Sequence, residues 1–358
     1  MPRIGGSIFK KRALALGLIM LLALVTVLGC GGGKTEKAET AKEEAPAQTE
    51  ETEKPAKTLK VALLTPGPIN DRGWNATAYQ GLQMIKEELG AEIAYSEKVA
   101  PSDFEEVFRG YASQGFDVIF GHGFQFGDPA MKVAKEFPNT KFIITSTDIS
   151  QPPNVASLGN SNLEQGFVGG ALCALLTKSK IVGSVGGMEI PSIIAYMDGF
   201  KAGCKYIDPN VKPLISYIGN FDDAAKGKEL ALAMIQEGAD VINHDADHAG
   251  LGVIEAAKEK GVMAVGAISD QNEVAPEVVV NSALSDLSRA YVLIVKDILA
   301  GKFEAKCVNY GIKEGTVGLA PWHNWEDKVD QSIKDRMNQL IEDVKNGKLN
   351  IADYVEKK

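Results

Sequence analysis

From Leu59 onward, short apolar runs alternate with stretches whose apolar residues return every three or four positions. Lys60-Val61-Ala62-Leu63-Leu64 has the length and composition of a buried strand. Ala78, Leu82, Ile85 and Leu89 then fall on one face of a helix that Gly90 ends. Ile93-Ala94-Tyr95 predicts a second strand, and Ser102-Asp103-Phe104-Glu105 has the spacing of a capping box opening a helix to Gln114. Asp117-Val118-Ile119-Phe120 is a third strand, a helix follows Asp128-Pro129, and Phe142-Ile143-Ile144-Thr145 is a fourth strand.

The cycle restarts after a helix around Leu163–Leu176. Ile181–Val185 reads as a strand, and Pro191 opens a helix at its favoured first position. Leu214–Tyr217 leads to a helix capped by Asp222 or Asp223. Asp240–Ile242 leads to a helix over Leu251–Glu259, and Val262–Val265 is the last clear strand. Strands alternating with helices make parallel sheets covered on both faces, so the pattern predicts an α/β protein with two similar lobes.

The first 57 residues break this rhythm. Lys10, Lys11 and Arg12 precede an apolar segment from Ala13 to Leu28, and Val27-Leu28-Gly29-Cys30 closes it. This is the layout of a secretory signal over residues 1–29, and the closing run resembles a lipoprotein lipobox, in which Cys30 takes the lipid. The apolar segment is short of the roughly 20 residues of a bilayer span, which disfavours a single-pass anchor. Residues 31–57 hold no leucine, isoleucine, valine or aromatic residue. They predict a disordered tether from residue 30 to 57. The expectation is a globular domain held outside the cytoplasmic membrane through lipid on Cys30.

Charge narrows the partners. Removing residues 1–29, with four basic and no acidic side chains, takes the formal charge from −9 to −13. So acidic a domain is a poor match for nucleic acid or an anionic surface. Beyond Cys30 only Cys173, Cys204 and Cys307 remain, with no C-x-x-C pair; Cys173 reads as a small buried hydrophobe.

In open parallel sheets, ligands gather at the carboxyl ends of strands. The segments in those places are Thr65–Asn75, Gly121–Asp128, Gly186–Ile190, Gly219–Asp222, Asn243–His248 and Ser269–Asn272. They mix Trp74, Phe124, Phe126 and Phe221 with Asn, Asp and Ser and hold hardly any basic residue. Flat π faces with carboxylate and amide groups suit a planar, neutral, nitrogen-rich ligand such as a purine. A phosphorylated ligand would call for basic clusters or a glycine nest at a helix start. His244 and His248 are four apart, but that spacing puts two imidazoles on one face only in a helix, and this segment follows a strand. No metal site or cofactor is therefore expected. There is no G-x-S-x-G elbow and no H-E-x-x-H, so the reading is a binding protein and not an enzyme.

A set of longer segments sharpens this reading. They include Asn70-Asp71-Arg72-Gly73-Trp74-Asn75, Ala78-Tyr79-Gln80-Gly81-Leu82, Gly115–Ile119 and Val133–Pro138 in the first half. In the second they include Val185–Pro191, Gly199-Phe200-Lys201-Ala202-Gly203, Gly238–Val241, Ala249–Lys258 and Ser269-Asp270-Gln271. Through them the chain, from Lys60 to about Asp327, resembles the basic membrane protein (BMP) family of substrate-binding lipoproteins of ABC importers.

The resemblance implies a type I periplasmic-binding-protein fold, two doubly wound lobes joined by crossover segments with a cleft between them. The first lobe is expected over 58–163 with about 280–302, the second over 164–279 with about 303–358. It implies a protein that hands a purine base or nucleoside to an ABC permease, and a monomer is expected. Trp74 and Phe221 would stack on the ring, Asp71 and Asn75 would hydrogen-bond its edge, and Asn70, Phe124, Phe126 and Met188 are expected among the ligand-binding residues. Asp245, Asp247, Ser269 and Asp270 would contribute from the second lobe.

Nucleoside-binding members carry a D-S-D-Q segment and a lysine after a T-S-x-x run. Here the matching segments are Ile268-Ser269-Asp270-Gln271 and Asn281-Ser282-Ala283-Leu284-Ser285, without the first acid or the lysine. Each unpaired sugar hydroxyl in a buried cleft would cost about 1–3 kcal/mol, which favours a free, adenine-like base over a nucleoside. The alternatives are a flavin, sugar or signalling molecule in the same scaffold, or a surface adhesin or sensor.

Overall fold

The computed structural model describes residues 58–70 and 74–356. The expected signal segment, Cys30, the whole tether and Asp71 lie outside the described residues. The first lobe begins with β1 (Lys60–Leu64), α1 (Trp74–Leu89), β2 (Glu92–Ser96), α2 (Phe104–Ser113), β3 (Val118–Gly121), α3 (Gly127–Ala134), β4 (Lys141–Thr145) and β5 (Val155–Asn160). The second holds α4 (Asn162–Leu176), β6 (Ile181–Gly186), α5 (Pro191–Ile207), β7 (Lys212–Tyr217), α6 (Ala224–Gln236), β8 (Val241–Asp245), α7 (Gly250–Lys260), β9 (Met263–Ile268) and β10 (Val279–Ser285). The chain then returns to the first lobe through α8 (Leu287–Leu299) and β11 (Cys307–Tyr310). It ends in the second with β12 (Val317–Leu319) and α9 (Gln331–Lys345).

The first sheet has the order β11-β5-β4-β3-β1-β2, with every pair parallel; the second has the order β12-β10-β9-β8-β6-β7, with only β12 antiparallel. β1 shows why its apolar run is continuous. Val61 and Leu63 pack with Ala78 and Leu82 of α1 and Tyr291 of α8, whereas Ala62 and Leu64 pack on the other face with Phe108 and Val133. Alternation along the strand serves two cores at once.

The second lobe draws its first two helices together through glycine. Gly166 and Gly170 on α4 face Gly199 and Gly203 on α5. A Cβ at Gly166 would lie 1.9 Å from the Tyr196 carbonyl oxygen, and one at Gly203 would lie 2.2 Å from that of Phe167. Only hydrogen at these positions lets the two backbones pack so closely. The Gly199–Gly203 segment in the sequence is thus a packing device.

Several expectations shift. Ser102 does not cap α2: its hydroxyl bonds Asp103 Oδ1 at 2.7 Å, and the helix starts at Phe104 after a short 3-10 turn. Asp223, of the two candidates, caps α6 by accepting from Lys226 N at 2.9 Å. The return to the first lobe, read from sequence at about 280–302, runs from α8 to β11. β10 pairs with β9 and so stays in the second sheet, while β11 pairs with β5. Strands β5, β10, β11 and β12 were not read from the sequence. Cys173 and Cys204 are buried, Cys307 is exposed, and all three are free thiols.

Three crossovers join the lobes, each leaving the carboxyl end of a strand: β5, β10 and β11. They are tied together by Asn160 Nδ2 donating to Ser285 Oγ (3.0 Å), Ser161 N to Tyr310 O (2.8 Å) and Asp286 N to Thr316 O (2.7 Å). Ile312 N donates to Glu164 Oε2 at 2.6 Å, and burial, helped by the nearby charge of Glu314, pushes the Glu164 carboxyl up. These hydrogen bonds tie the lobes together where the crossovers run. The two carboxyl edges therefore form the walls of a cleft hinged at one side.

Candidate ligand cleft

On the first lobe, the loop after β1 is pinned from within. Thr65 Oγ1 donates to Gly67 O at 2.8 Å, and Ile69 N donates to Glu97 Oε2 at 2.9 Å. The loop delivers Trp74 to the first position of α1. Its ring stacks on His122 with centroids 4.1 Å apart and planes 24° apart, yet the residue stays 45 % exposed. One face of the indole is backed by His122, and nearly half of the residue is open to solvent.

His122, at the end of β3, is fully buried and was not singled out from the sequence, although it lies in a segment that was. Its Nε2 lies 2.9 Å from the Trp74 carbonyl oxygen, an obligate acceptor, so Nε2 carries the hydrogen. Nδ1 then accepts from Tyr291 Oη at 2.8 Å and lies 3.2 Å from Thr145 Oγ1. Burial pushes the Tyr291 hydroxyl well above its ordinary range, which keeps it a donor. Sequence separation hid this relay: Tyr291 comes from α8, 169 positions away.

The other predicted residues of this lobe divide. Asn75 is buried in the first turn of α1, Asn70 is exposed, and Phe124 is 71 % exposed at the cleft end of β3. Phe126 is corrected: it is fully buried in the lobe core, 4.2 Å from the Phe104 ring and 6.0 Å from Phe108, out of reach of a ligand.

The second lobe presents a different edge. Phe221 lies over Gly187, where a Cβ would come 2.3 Å from its ring, and Met188 is 38 % exposed beside it in sequence. Asp245 closes β8 and is only 4 % exposed; burial, then the charge of Asp247, raises its carboxyl to about 7. Asp247 is exposed at a left-handed backbone position (φ 44°); partial burial, then Asp222, raises its carboxyl as well.

His244 is buried, and its Nε2 donates to Gln271 Oε1 at 2.9 Å, the oxygen that also accepts from Ala267 N at 3.0 Å. Burial lowers its pKa to about 4 and keeps the ring neutral. His248 sits exposed on the following turn, so the two histidines belong to a strand and a turn and share no helical face.

At the end of β9, Ile268 adopts φ 71°, a strained setting for a β-branched residue, with Ser269 N closing a tight turn onto Ala267 O at 2.8 Å. Ser269 is exposed. Asp270 is already engaged: Oδ2 pairs with His323 Nε2 at 2.5 Å and Oδ1 accepts from Asn272 N at 3.1 Å.

The structure thus gathers Asn70, Trp74, Asn75 and Phe124 on one edge and Met188, Phe221, Asp245, Asp247 and Ser269 on the other. Two open parallel sheets, joined three times at their carboxyl edges around a cleft of this kind, define the type I periplasmic-binding-protein fold. The chain belongs to the Bmp family, described as ABC transporter substrate-binding protein PnrA-like, which matches residues 58–350. It is 29 % identical to the ABC transporter nucleoside-binding protein BmpA of Lactococcus lactis subsp. cremoris, over 96 % of this chain and 99 % of that one. It is 28 % identical to a purine-binding protein of Brucella abortus, over 82 % of each. An ABC transporter solute-binding protein from Conexibacter woesei, of known structure, matches with TM-score 0.67 and 27 % identity, over 84 % of this chain and 100 % of that one. The protein is an ABC-type solute-binding protein. Among the described residues no helix is long and apolar enough to cross a membrane.

Proposed function

We propose that this protein is a lipid-anchored, extracytoplasmic receptor that captures a purine base in the cleft and delivers it to an ABC permease. The observation that carries the reading is the Trp74 ring, stacked on His122 and yet 45 % exposed. Such a shelf gains free energy from a flat heterocycle laid on it, about 1–3 kcal/mol for a stacked base. Phe221 closes the sandwich from the second lobe, and Asn70, Asp71 and Asn75 serve the ring edge. The names of the relatives, nucleoside-binding and purine-binding, point to the same class.

A base is favoured over its nucleoside by the two groups that are missing: Ile268, 38 % exposed, stands where nucleoside-binding members carry an acid, and Asn281-Ser282-Ala283-Leu284-Ser285 brings no lysine. Sugar hydroxyls at those two points are left without their partners once the cleft closes. Closure about the crossovers desolvates the ligand, and binding shifts the population from open to closed. No covalent step is required.

Calorimetric titration of the soluble form beginning at Gly31, refolded free of carried-over ligand, tests this with adenine, guanine, hypoxanthine, adenosine and inosine. Tight binding of a base with weaker binding of its nucleoside is expected. A tighter nucleoside would overturn the base preference alone. Silence across the panel would remove the purine reading and favour a flavin or sugar. For the anchor, labelled fatty acid should be incorporated by the full chain and not by Cys30→Ala.

A further inference from the structure

Asp245 is the buried acid of the second edge. It stands at the carboxyl end of β8, 4 % exposed, and among the described residues no donor reaches its carboxyl group. The groups around it are committed elsewhere or carry the same charge. His244 donates to Gln271, and Tyr196 of α5, close enough to feel the Asp245 charge, donates to Asn243 Oδ1 at 2.9 Å. Asp247 is two residues on, with Asp222 beyond it. On β6, which pairs with β8, the neighbour in register is Gly186, itself opposite Tyr217 of β7. His248 is exposed on the turn that follows. The four loops of this edge, 187–190, 219–223, 246–249 and 269–272, contain Glu189, Asp222, Asp223, Asp247 and Asp270 and no lysine or arginine.

A buried carboxyl group without a donor, in a negative field, costs free energy until something supplies a hydrogen. We propose that Asp245 is the specificity-determining acceptor of the cleft: it selects a ligand that presents a ring N–H or amino group at this point, and binding releases a proton from its carboxyl group to the solvent. This rests on the purine reading and adds which edge of the base is read. With a carboxyl raised to about 7 the free protein holds the proton in mildly acidic solution. A ligand N–H stabilises the ionised form, so the proton leaves as the ligand arrives. An edge made only of acceptors would instead keep the acid protonated.

The test is calorimetry with adenine in pairs of buffers that differ in ionisation enthalpy. Release of about one proton is expected at about pH 6 and almost none at about pH 8, with affinity rising about tenfold between them. Asp245→Asn should bind with no proton release and little dependence on pH. If that variant does not fold, Asp247→Asn serves, moving the onset of release to lower pH by removing one like charge. Adenine binding with no proton exchange, or with proton uptake, overturns the role of Asp245 and leaves the purine reading standing. Failure of adenine, guanine and hypoxanthine alike to bind removes the purine reading, and this proposal with it.

Discussion

The two lobes repeat one architecture and finish it with opposite chemistry. The first ends in an aromatic shelf: Trp74 lies on His122, which Tyr291 and Thr145 hold from below, and Phe124 stands out beside it. The second ends in acids, Asp245 and Asp247, among the apolar side chains of Met188, Ile190 and Ile268. Their interiors differ as well. The first lobe fills its helix layers with large rings such as Phe108, Phe120 and Tyr291, whereas the second brings α4 and α5 together through four glycines. Under the proposed function the two edges divide the labour: the first stacks the base, the second reads its hydrogens, and the crossovers bring them together on the ligand.

The comparison can be broken most strongly in the interior of the second lobe. Gly166→Val should destabilise the protein by about 3 kcal/mol or more in denaturant unfolding, because its Cβ meets a carbonyl oxygen that belongs to a rigid helix. A loss under 1 kcal/mol would mean that the helices part easily.

Next comes the acidic edge, where the direction depends on pH. Asp245 is raised from an ordinary 3.8 to about 7, so the folded protein holds this proton more tightly than the unfolded chain. That contribution to stability is complete below the unfolded value and is lost as pH rises through about 7. His244 is lowered from 6.5 to about 4; its contribution is complete above the unfolded value and is lost as pH falls toward about 4. The two neighbours thus oppose each other in the same window. Asp245→Asn removes one of them and should gain on the parent by on the order of 2–4 kcal/mol between pH 4 and pH 8. Parallel stability curves for parent and variant would refute the raised carboxyl.

The shelf of the first lobe is tested by Trp74→Ala, which should weaken adenine binding by about 1–3 kcal/mol while leaving the melting temperature nearly unchanged. Unchanged affinity would end the stacking assignment. Phe124→Ala should have the smallest effect, within about 0.5 kcal/mol on stability, because so exposed a ring has little packing to lose. Its effect on adenine affinity then measures how far the shelf extends beyond Trp74.

Much of this was legible in the chain because it rests on local signals. Apolar runs of strand length followed by helical periodicity announced β1 to β4 and β6 to β9, since a strand buried on both faces must be apolar throughout. Pro191 marked the start of α5, and the segments read as following each strand do lie at the carboxyl edges of the two sheets. Strand β11 was not legible: it is short, and its partner β5 lies far back in the sequence.

What only the tertiary structure decided concerns which neighbour a side chain meets. Phe124 and Phe126 look equivalent in sequence, yet the 3-10 turn they share sends Phe126 into the core beside Phe104 and leaves Phe124 in solvent. Asp245 and Asp270 look equivalent too, but His323 takes up Asp270 while nothing described reaches Asp245. The shelf under Trp74 needs Tyr291 to return from the far side of the second lobe. Periodicity and turn chemistry act over a few residues and can be read along the chain. Burial, partnering and the pKa values that follow from them are set by residues the fold brings together, from Phe104 beside Phe126 to Tyr291, 169 positions from His122, and exist only once the chain has folded.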